Sequence, residues 1–217
     1  MIRPVTFAEF AAIVAARGAA RRSVTAIAGA PGSGKSYTAE RLVAHLNGME
    51  AGSAAVLPMD GYHFDDMILV PRGLRPRKGA PDTFDVGGLR HMLLRLKENA
   101  EAEIMVPVFD RHIEIARAAA RAIAQTVRHI VAEGNYLLLD RGPWPGLSPA
   151  FDTTAMLDVS EEVLRQRLRA RWVGYGLSED EIRAKLEDND LPNGRLVATA
   201  SRPAEFVLKS GDAGARS

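Results

Sequence analysis

The chain has 217 residues, of which 47% are apolar and 25% charged, a composition typical of one globular domain. Its net charge is +1, so no global field attracts nucleic acid or an anionic membrane, and we expect neither partner. The absence of cysteine excludes disulfides and thiolate chemistry and fits a cytoplasmic location. No apolar run approaches the roughly 20 residues that span a bilayer. The sequence is silent on oligomeric state and leaves a homodimer open.

The N-terminal segment carries an apolar patch, Phe10 to Ala16, with Arg17 and Arg21 after it. A secretory signal places its positive charge before the apolar stretch, so this order argues against one. A transit peptide is an alternative, because the segment is rich in arginine and poor in acids. We prefer an amphipathic helix within residues 1–22 that leads into the first strand.

After this helix, candidate strands alternate with candidate helices. Such alternation predicts a mainly parallel α/β sheet covered on both faces. We assign residues 23–209 to one domain, with a mobile lid at about 161–190, and residues 210–217 to a disordered tail. The strand candidates are Ser23–Ala28, Ala54–Met59, Ile104–Phe109, Arg128–Ala132 and Thr154–Val159, with Glu205–Leu208 as an uncertain last one. The helix candidates are Ser36–Leu46, Asp85–Lys97, Ser160–Trp172 and a short helix opened by a Ser178/Glu181 capping box.

A phosphate-binding loop follows the first strand of the domain. Residues 29–36 fit the pattern G-x-x-x-x-G-K-[ST], with a strand before and a helix after them. The glycines let successive amides point into one cavity, and the helix adds its positive N-terminal end. Lys35 reaches the β- and γ-phosphates and Ser36 binds Mg²⁺. The predicted nucleotide site is Gly29, Ala30, Pro31, Gly32, Ser33, Gly34, Lys35, Ser36 and Tyr37.

Three strand candidates end in an acid: Asp60, Asp110 and Glu133. In open α/β sheets, ligands bind beyond the carboxyl ends of the strands. We therefore expect these acids on the same rim as Lys35, where one carboxylate would take the proton of an attacking hydroxyl and another would support Mg²⁺. A single acid in such a place is more often a helix cap, but three beside a P-loop favour catalysis.

The surrounding residues resemble uridine kinases, bacterial pantothenate kinases and phosphoribulokinase-like proteins. The similar segments are Leu57–Phe64, Gly79–Asp85, Val106–Arg111, Val131–Leu138 and Arg167–Trp172. The nearest likeness is to a bacterial branch described as fructose-transport-system or uridine-kinase-like kinases, which Asn189-Asp190-x-Pro192-Asn193 also resembles. The chain departs from uridine kinases at Gly174–Gly176 and lacks their acceptor-site histidine.

The resemblance implies a P-loop NTPase sandwich with a five-stranded core, an arginine lid and ATP with Mg²⁺. It implies Asp60 as the base and Glu133 as the group that supports Mg²⁺. For the lid we favour Arg169 and Arg171 and regard Arg165 as solvated. The basic residues Arg72, Arg75, Arg77 and Lys78 are more often solvated loop than an anion site. The predicted acceptor site is Asp60, Tyr62, His63, Phe84, Asp110, Arg111 and Asn135.

The sequence thus predicts an ATP-dependent kinase that phosphorylates a hydroxyl of a small polar metabolite, such as fructose. A uridine, other nucleoside or pantothenate acceptor is the alternative. A different class, a nucleotide-binding regulator or slow NTPase without an acceptor, also fits a P-loop.

Overall fold

A computed structural model describes residues 3–209. The predicted tail at 210–217 lies outside this described part of the chain. Within residues 3–209 there are eight strands. They are β1 (Arg3–Val5), β2 (Ser23–Gly29), β3 (Ala54–Pro58), β4 (Glu103–Asp110), β5 (Ile115–Ala124), β6 (His129–Gly134), β7 (Thr153–Asp158) and β8 (Phe206–Lys209).

The main sheet is parallel throughout and confirms the predicted α/β class. Its strand order is β1-β8-β7-β2-β6-β3, so it has six strands where five were predicted. The N-terminal segment contributes β1, which pairs with β8 before the predicted helix begins. A three-residue edge strand is too short to show the alternation that identifies strands from sequence. The strand before the P-loop, β2, lies between β6 and β7, so the loop emerges near the middle of the rim.

Helices cover both faces of this sheet. Residues of β2 alternate between them: Val24 and Ala26 face one layer, and Ile27 faces the other. Because both faces are covered, β2 and β6 are buried along their whole length and do not alternate between buried and exposed residues. The helices are α1 (Phe7–Arg17), α2 (Lys35–Met49), α3 (Asp66–Leu69), α4 (Val86–Glu98), α5 (Glu161–Gly174), α6 (Glu179–Ala184) and α7 (Leu191–Ala200).

The predicted third strand does not join the main sheet. It is β4, which pairs antiparallel with β5 to form a separate two-stranded hairpin. Ile104 and Val106 anchor its base in the core, whereas Asp110 lies at its tip. Asp110 therefore does not lie on the rim of the parallel sheet, contrary to the prediction from strand order.

The lid region consists of α5, α6 and a short π-helical segment, Lys185–Asp190, which runs directly into α7. Ser178 and Glu181 form the predicted capping box at the start of α6. The Trp172 indole N–H donates to Asp190 Oδ2 at 2.8 Å and ties the end of α5 to the π-helical segment. Within residues 3–209, no helix is both long and apolar enough to cross a membrane.

Candidate active site

The glycine loop joins β2 to α2, and Pro31 and Lys35 of this segment line a cleft. Gly32 and Gly34 have φ angles of 79° and 91°, a region that favours glycine. A Cβ atom on Gly32 would also lie 2.9 Å from Cγ of Leu168 in α5, so the lid helix packs directly on the loop. Lys35 is the first residue of the 15-residue helix α2. The loop therefore has the conformation and the helix N-terminus of an anion-binding site.

Two of the three predicted acids reach this loop. Glu133 lies on β6, in register with Ile27 of β2 and Pro58 of β3. Asp60 follows β3 in a short 3-10 helix, Met59–Tyr62. The hydroxyl of Ser36 donates to Glu133 Oε2 at 3.1 Å. The parallel order β2-β6-β3 thus brings both carboxylates to the rim that carries Lys35.

Charges compensate one another at the base of the cleft. Burial lowers the pKa of Lys35, and the carboxylates of Glu133 and Asp60 act in the opposite direction. Burial raises the pKa of Glu133, and the positive charge of Lys35 partly offsets this. For each of the two groups, the charged form is therefore less stable in the protein than it is in water. This is expected at a site whose buried charges interact with a charged ligand.

Asp60 stays ionised because cations surround it. Burial alone would raise its pKa, but nearby positive charge outweighs burial and lowers it. The charges that lower it are, in order of effect, those of His63, Arg111 and Lys35, and Nη2 of Arg111 donates to Asp60 Oδ2 at 2.6 Å. Burial lowers the pKa of His63, so at neutral pH this ring is uncharged and Arg111 and Lys35 hold Asp60 as a carboxylate. A carboxylate in this state can accept a proton from a bound alcohol.

An aromatic stack forms one wall of the cleft. The His63 ring lies between Phe84 and Phe109, at centroid distances of 4.0 and 4.6 Å. Its Nδ1 lies 2.8 Å from the carbonyl oxygen of Asp60. A carbonyl can only accept, so Nδ1 carries the proton and Nε2 is left as an acceptor. The ring can therefore accept a hydrogen bond from a hydroxyl in the cleft.

The cleft is small, with a volume of about 140 Å³. Its wall combines the P-loop, the rim, the hairpin tip, the segment after Asp60 and the lid. A cavity of this size is below the roughly 300 Å³ of sites for drug-sized ligands and suits a small metabolite. The lining residues with polar side chains are Lys35, Asp60, His63, Arg75, Lys78, Arg111, Glu114, Asn135, Arg171, Lys185, Asn189, Asp190 and Asn193.

The arginines of α5 divide between two faces of the helix. Arg171 lines the cleft, and Nη1 of Arg167 donates to the Ser33 carbonyl at 3.2 Å. Arg169 points away and pairs with Glu179 at 2.6 Å, while Arg165 pairs with Glu187. Of the two lid arginines predicted, only Arg171 lies in the cleft. The i, i+4 spacing groups Arg167 with Arg171 and Arg165 with Arg169, but it does not indicate which of the two pairs faces the cleft.

Asp110, Tyr62 and Tyr37 also lie outside the cleft. Asp110 accepts hydrogen bonds from the His112 amide and from Arg117, on another side of the hairpin tip. Tyr62 is buried in the core and its hydroxyl has no partner, so burial raises its pKa. Tyr37 lies in the first turn of α2 and is 39% exposed. By contrast, His63, Phe84, Arg111 and Asn135 do line the cleft, as the predicted acceptor site required.

A basic segment after α3 contributes more than the sequence indicated. Arg75 and Lys78 line the cleft, and Asn189 of the lid donates to the Lys78 carbonyl at 3.1 Å. Lys185 and Asp190 complete the lid side. Sequence spacing could not reveal these contacts because they join segments more than 100 residues apart.

The raised pKa of Glu133 predicts a pH-dependent stability in the protein without ligands. A carboxyl whose folded-state pKa is raised favours the folded state below its unfolded pKa, and this benefit is lost as pH rises through the folded value. Glu133→Gln should remove this dependence. The melting temperature of the variant minus that of the wild type should therefore become more positive between pH 5 and pH 8. A difference that stays constant or falls would contradict the assignment.

Comparison with known proteins agrees with this geometry. The chain is 32% identical over 196 residues to Escherichia coli "Uncharacterized protein YggC", covering 89% of this chain and 80% of that one. It is 32% identical over 197 residues to Schizosaccharomyces pombe "Putative uridine kinase C227.14", covering 87% and 83%. A crystal structure titled "putative fructose transport system kinase", from Silicibacter sp. TM1040, matches with a TM-score of 0.83 and 38% identity over 94% and 98% of the two chains. No protein-family model matches the chain.

Fold and site together define a P-loop kinase, in which a nucleotide-binding glycine loop faces carboxylates on the same rim of a parallel sheet. Among such kinases, the chain belongs to the uridine kinase-like family. ATP and a small-molecule substrate follow from this membership.

Proposed function

We propose that the protein transfers the γ-phosphoryl group of ATP to a hydroxyl of a small polar metabolite. The observation that supports this most strongly is the position of Asp60. Its carboxylate shares one cleft with Lys35, and Arg111 fixes its direction at 2.6 Å. A nucleotide hydrolase has no need of the aromatic-walled space that this cleft provides beside its phosphate end.

The reaction requires few covalent partners from the protein. The acceptor oxygen forms a bond to the γ-phosphorus while the bond between that phosphorus and the β,γ-bridging oxygen breaks, and ADP leaves. The hydroxyl proton passes to Asp60. Since the transition state is loose, positioning and charge neutralisation provide most of the catalysis. Lys35 and Arg171 are the cations of the cleft best placed for that charge, because one begins α2 and the other lies on the lid helix.

The residues beside the loop fit a magnesium ion. Ser36 and Glu133 offer a hydroxyl and a carboxylate 3.1 Å apart, the hard oxygen ligands that Mg²⁺ prefers. We assign both residues to the metal that accompanies ATP. When bound, Mg²⁺ neutralises charge on the β- and γ-phosphates.

Three versions of this function differ in the molecule that accepts the phosphoryl group. The name of the Silicibacter structure supports a sugar such as fructose, and the name of the S. pombe relative supports uridine. Pantothenate is a third candidate. A nucleotide-binding regulator or slow NTPase is the alternative from another class, and it would need no acceptor.

ATP consumption in the presence of candidate acceptors distinguishes the classes. Purified protein with Mg·ATP is assayed with single sugars, nucleosides, pantothenate and small hydroxy acids. A kinase should consume ATP much faster with its acceptor than without, because positioned hydroxyl and base act together. A slow rate that no acceptor raises would favour the regulator or slow NTPase instead.

A further inference from the structure

The cleft is lined by more cations than carboxylates, although a neutral sugar or nucleoside acceptor requires no such excess. Six cations line the whole cleft, against three carboxylates. The cations are Lys35, Arg75, Lys78, Arg111, Arg171 and Lys185, and the carboxylates are Asp60, Glu114 and Asp190. The chain as a whole is nearly balanced, at +1, so this excess is local. Glu133 lies beside Lys35 without lining the cleft and reduces this excess to two, which the charge of about −2 on Mg·ATP would offset at the phosphate end. What distinguishes the acceptor side is the arrangement of Lys78 and Arg75.

The cations fall into two groups. One group lies at the phosphate end, where the charges of Glu133, Asp60, Arg171 and Arg111 act on the pKa of Lys35. Lys78 lies instead at the aromatic wall, because its Nζ is 5.7 Å from the centroid of the Phe109 ring that packs against His63. This order places Lys78, with its neighbour Arg75, on the acceptor side of the base.

Lys78 and Arg75 are held rigidly, and both keep donors free. The Lys78 side chain is only 7% exposed, and its ammonium donates to Asp66 Oδ1 and to the Glu114 carbonyl, each at 2.7 Å. An ammonium has three donors, so one remains. Arg75 donates through Nε to Asp66 and through Nη2 to Glu114, which leaves its Nη1 group unused.

One carboxylate outside the cleft, that of Asp66, holds both cations in place. Asp66 pairs with both Arg75 and Lys78 but does not line the cleft. Hydrogen bonds from both cations lower the pKa of Asp66, Lys78 first, so it remains ionised at neutral pH. Its role is therefore to fix two positive groups whose remaining donors are available to a ligand. A preorganised pair of cations is the usual recognition device for a carboxylate or phosphate group.

We propose that the acceptor is a small hydroxylated anion whose carboxylate or phosphate group binds Lys78 and Arg75 while its hydroxyl lies against Asp60. This inference rests on the proposed kinase function and names the substrate class for it. The lid takes part, because Asn189 contacts the Lys78 carbonyl and Arg77 contacts the Asp188 carbonyl. An anion held by the basic segment would thus lie next to the elements that close over the cleft.

Pairs of ligands that differ only in the anionic group test the proposal. Suitable pairs are glycerate and glycerol, pantothenate and pantothenyl alcohol, gluconate and sorbitol, and fructose 6-phosphate and fructose. Binding to protein loaded with Mg²⁺ and a non-hydrolysable ATP analogue is measured by calorimetry, and phosphorylation is measured separately with ATP. We expect an anionic member to bind about 10- to 100-fold more tightly than its neutral partner, the effect of one or two charge-assisted hydrogen bonds. The carboxylate and phosphate pairs show which anion is preferred.

Variants of the basic segment provide the second measurement. Lys78→Met should weaken binding of the anionic ligand about tenfold or more and leave the affinity for the ATP analogue unchanged, whereas Lys78→Arg should retain much of the binding. Arg75→Gln, at a more exposed position, repeats the test should Lys78→Met not fold. Arg183→Gln is the control, since Arg183 pairs with Asp180 outside the cleft and its loss should change neither affinity.

The outcomes separate this inference from the kinase function. Equal or tighter binding of the neutral members, or binding of no anionic member, overturns the inference. Phosphorylation of a neutral acceptor would overturn it while the kinase function stands. An anion that binds through Lys78 but is never phosphorylated would support an anion site alone, and it would contradict the kinase function and with it the acceptor role of that anion.

Discussion

Lys35→Met should abolish nearly all phosphoryl transfer while leaving the protein folded. Lys35 is the buried cation at the start of α2, and no other lysine lies at the P-loop within the described residues. Loss of one preorganised charge at a transferring phosphate costs roughly 10²- to 10³-fold in kcat. Burial lowers the pKa of Lys35, whereas Lys35 itself lowers the pKa of Asp60 and Glu133, so the effects of its removal on stability oppose each other and the variant should remain folded. Steady-state kinetics and thermal melting measure both effects.

The matched control is Lys97→Met. Lys97 donates to the Ala150 carbonyl at 3.1 Å and pairs with Asp152, away from the cleft. This substitution should lower stability and leave kcat near that of the wild type. A Lys35→Met variant that kept normal turnover would show that the glycine loop does not hold the triphosphate of the reaction.

Asp60→Asn should leave ATP binding close to normal and lower kcat by about 10²- to 10⁴-fold, the range for loss of a general base. Asparagine keeps the shape and the hydrogen bond to Arg111 but cannot take a proton at neutral pH. Single-turnover kinetics with saturating ATP and acceptor separate this loss from a binding defect. The effect should appear in kcat and kcat/KM together.

Asp110→Asn is the matched control for Asp60→Asn. Both residues follow or end a strand and both accept from an arginine, but Asp110 pairs with Arg117 and does not line the cleft. Turnover of Asp110→Asn should stay within a few-fold of the wild type. Equal losses in the two variants would mean that Asp60 has no special role as base.

The sequence was sufficient to predict the centre of the site. The P-loop pattern fixes Lys35 and Ser36 beside β2, and the rule for parallel strands places acids at the same rim. That rule was correct for Asp60 and Glu133 because β3 and β6 belong to the main sheet. It was wrong for Asp110 because β4 leaves the sheet and pairs with β5.

The partner strand of that hairpin explains the error. β5 consists mainly of alanine and arginine and is exposed along most of its length. Alanine has low strand propensity, and no buried face imposes an alternating pattern. Its strand conformation comes from pairing with β4, which a reading of single segments cannot detect.

In the lid, too, the sequence predicted the helix but not the side of it that faces the cleft. Apolar spacing predicted α5 correctly, but the side of α5 that faces the cleft depends on packing of Leu168 against Gly32. The same packing selects Arg167 and Arg171 over Arg169. The contacts of Lys78 with Glu114 and Asn189 depend on three segments that meet only in the folded chain.

Phosphorus NMR of a complete reaction tests the central claim most directly. Protein, Mg·ATP and the acceptor identified by the binding experiments are incubated, and the products are quantified. The account predicts one new phosphate monoester for each ADP formed, with inorganic phosphate at the level seen without acceptor. ADP accompanied by an equal amount of inorganic phosphate, whatever acceptor is present, would contradict it.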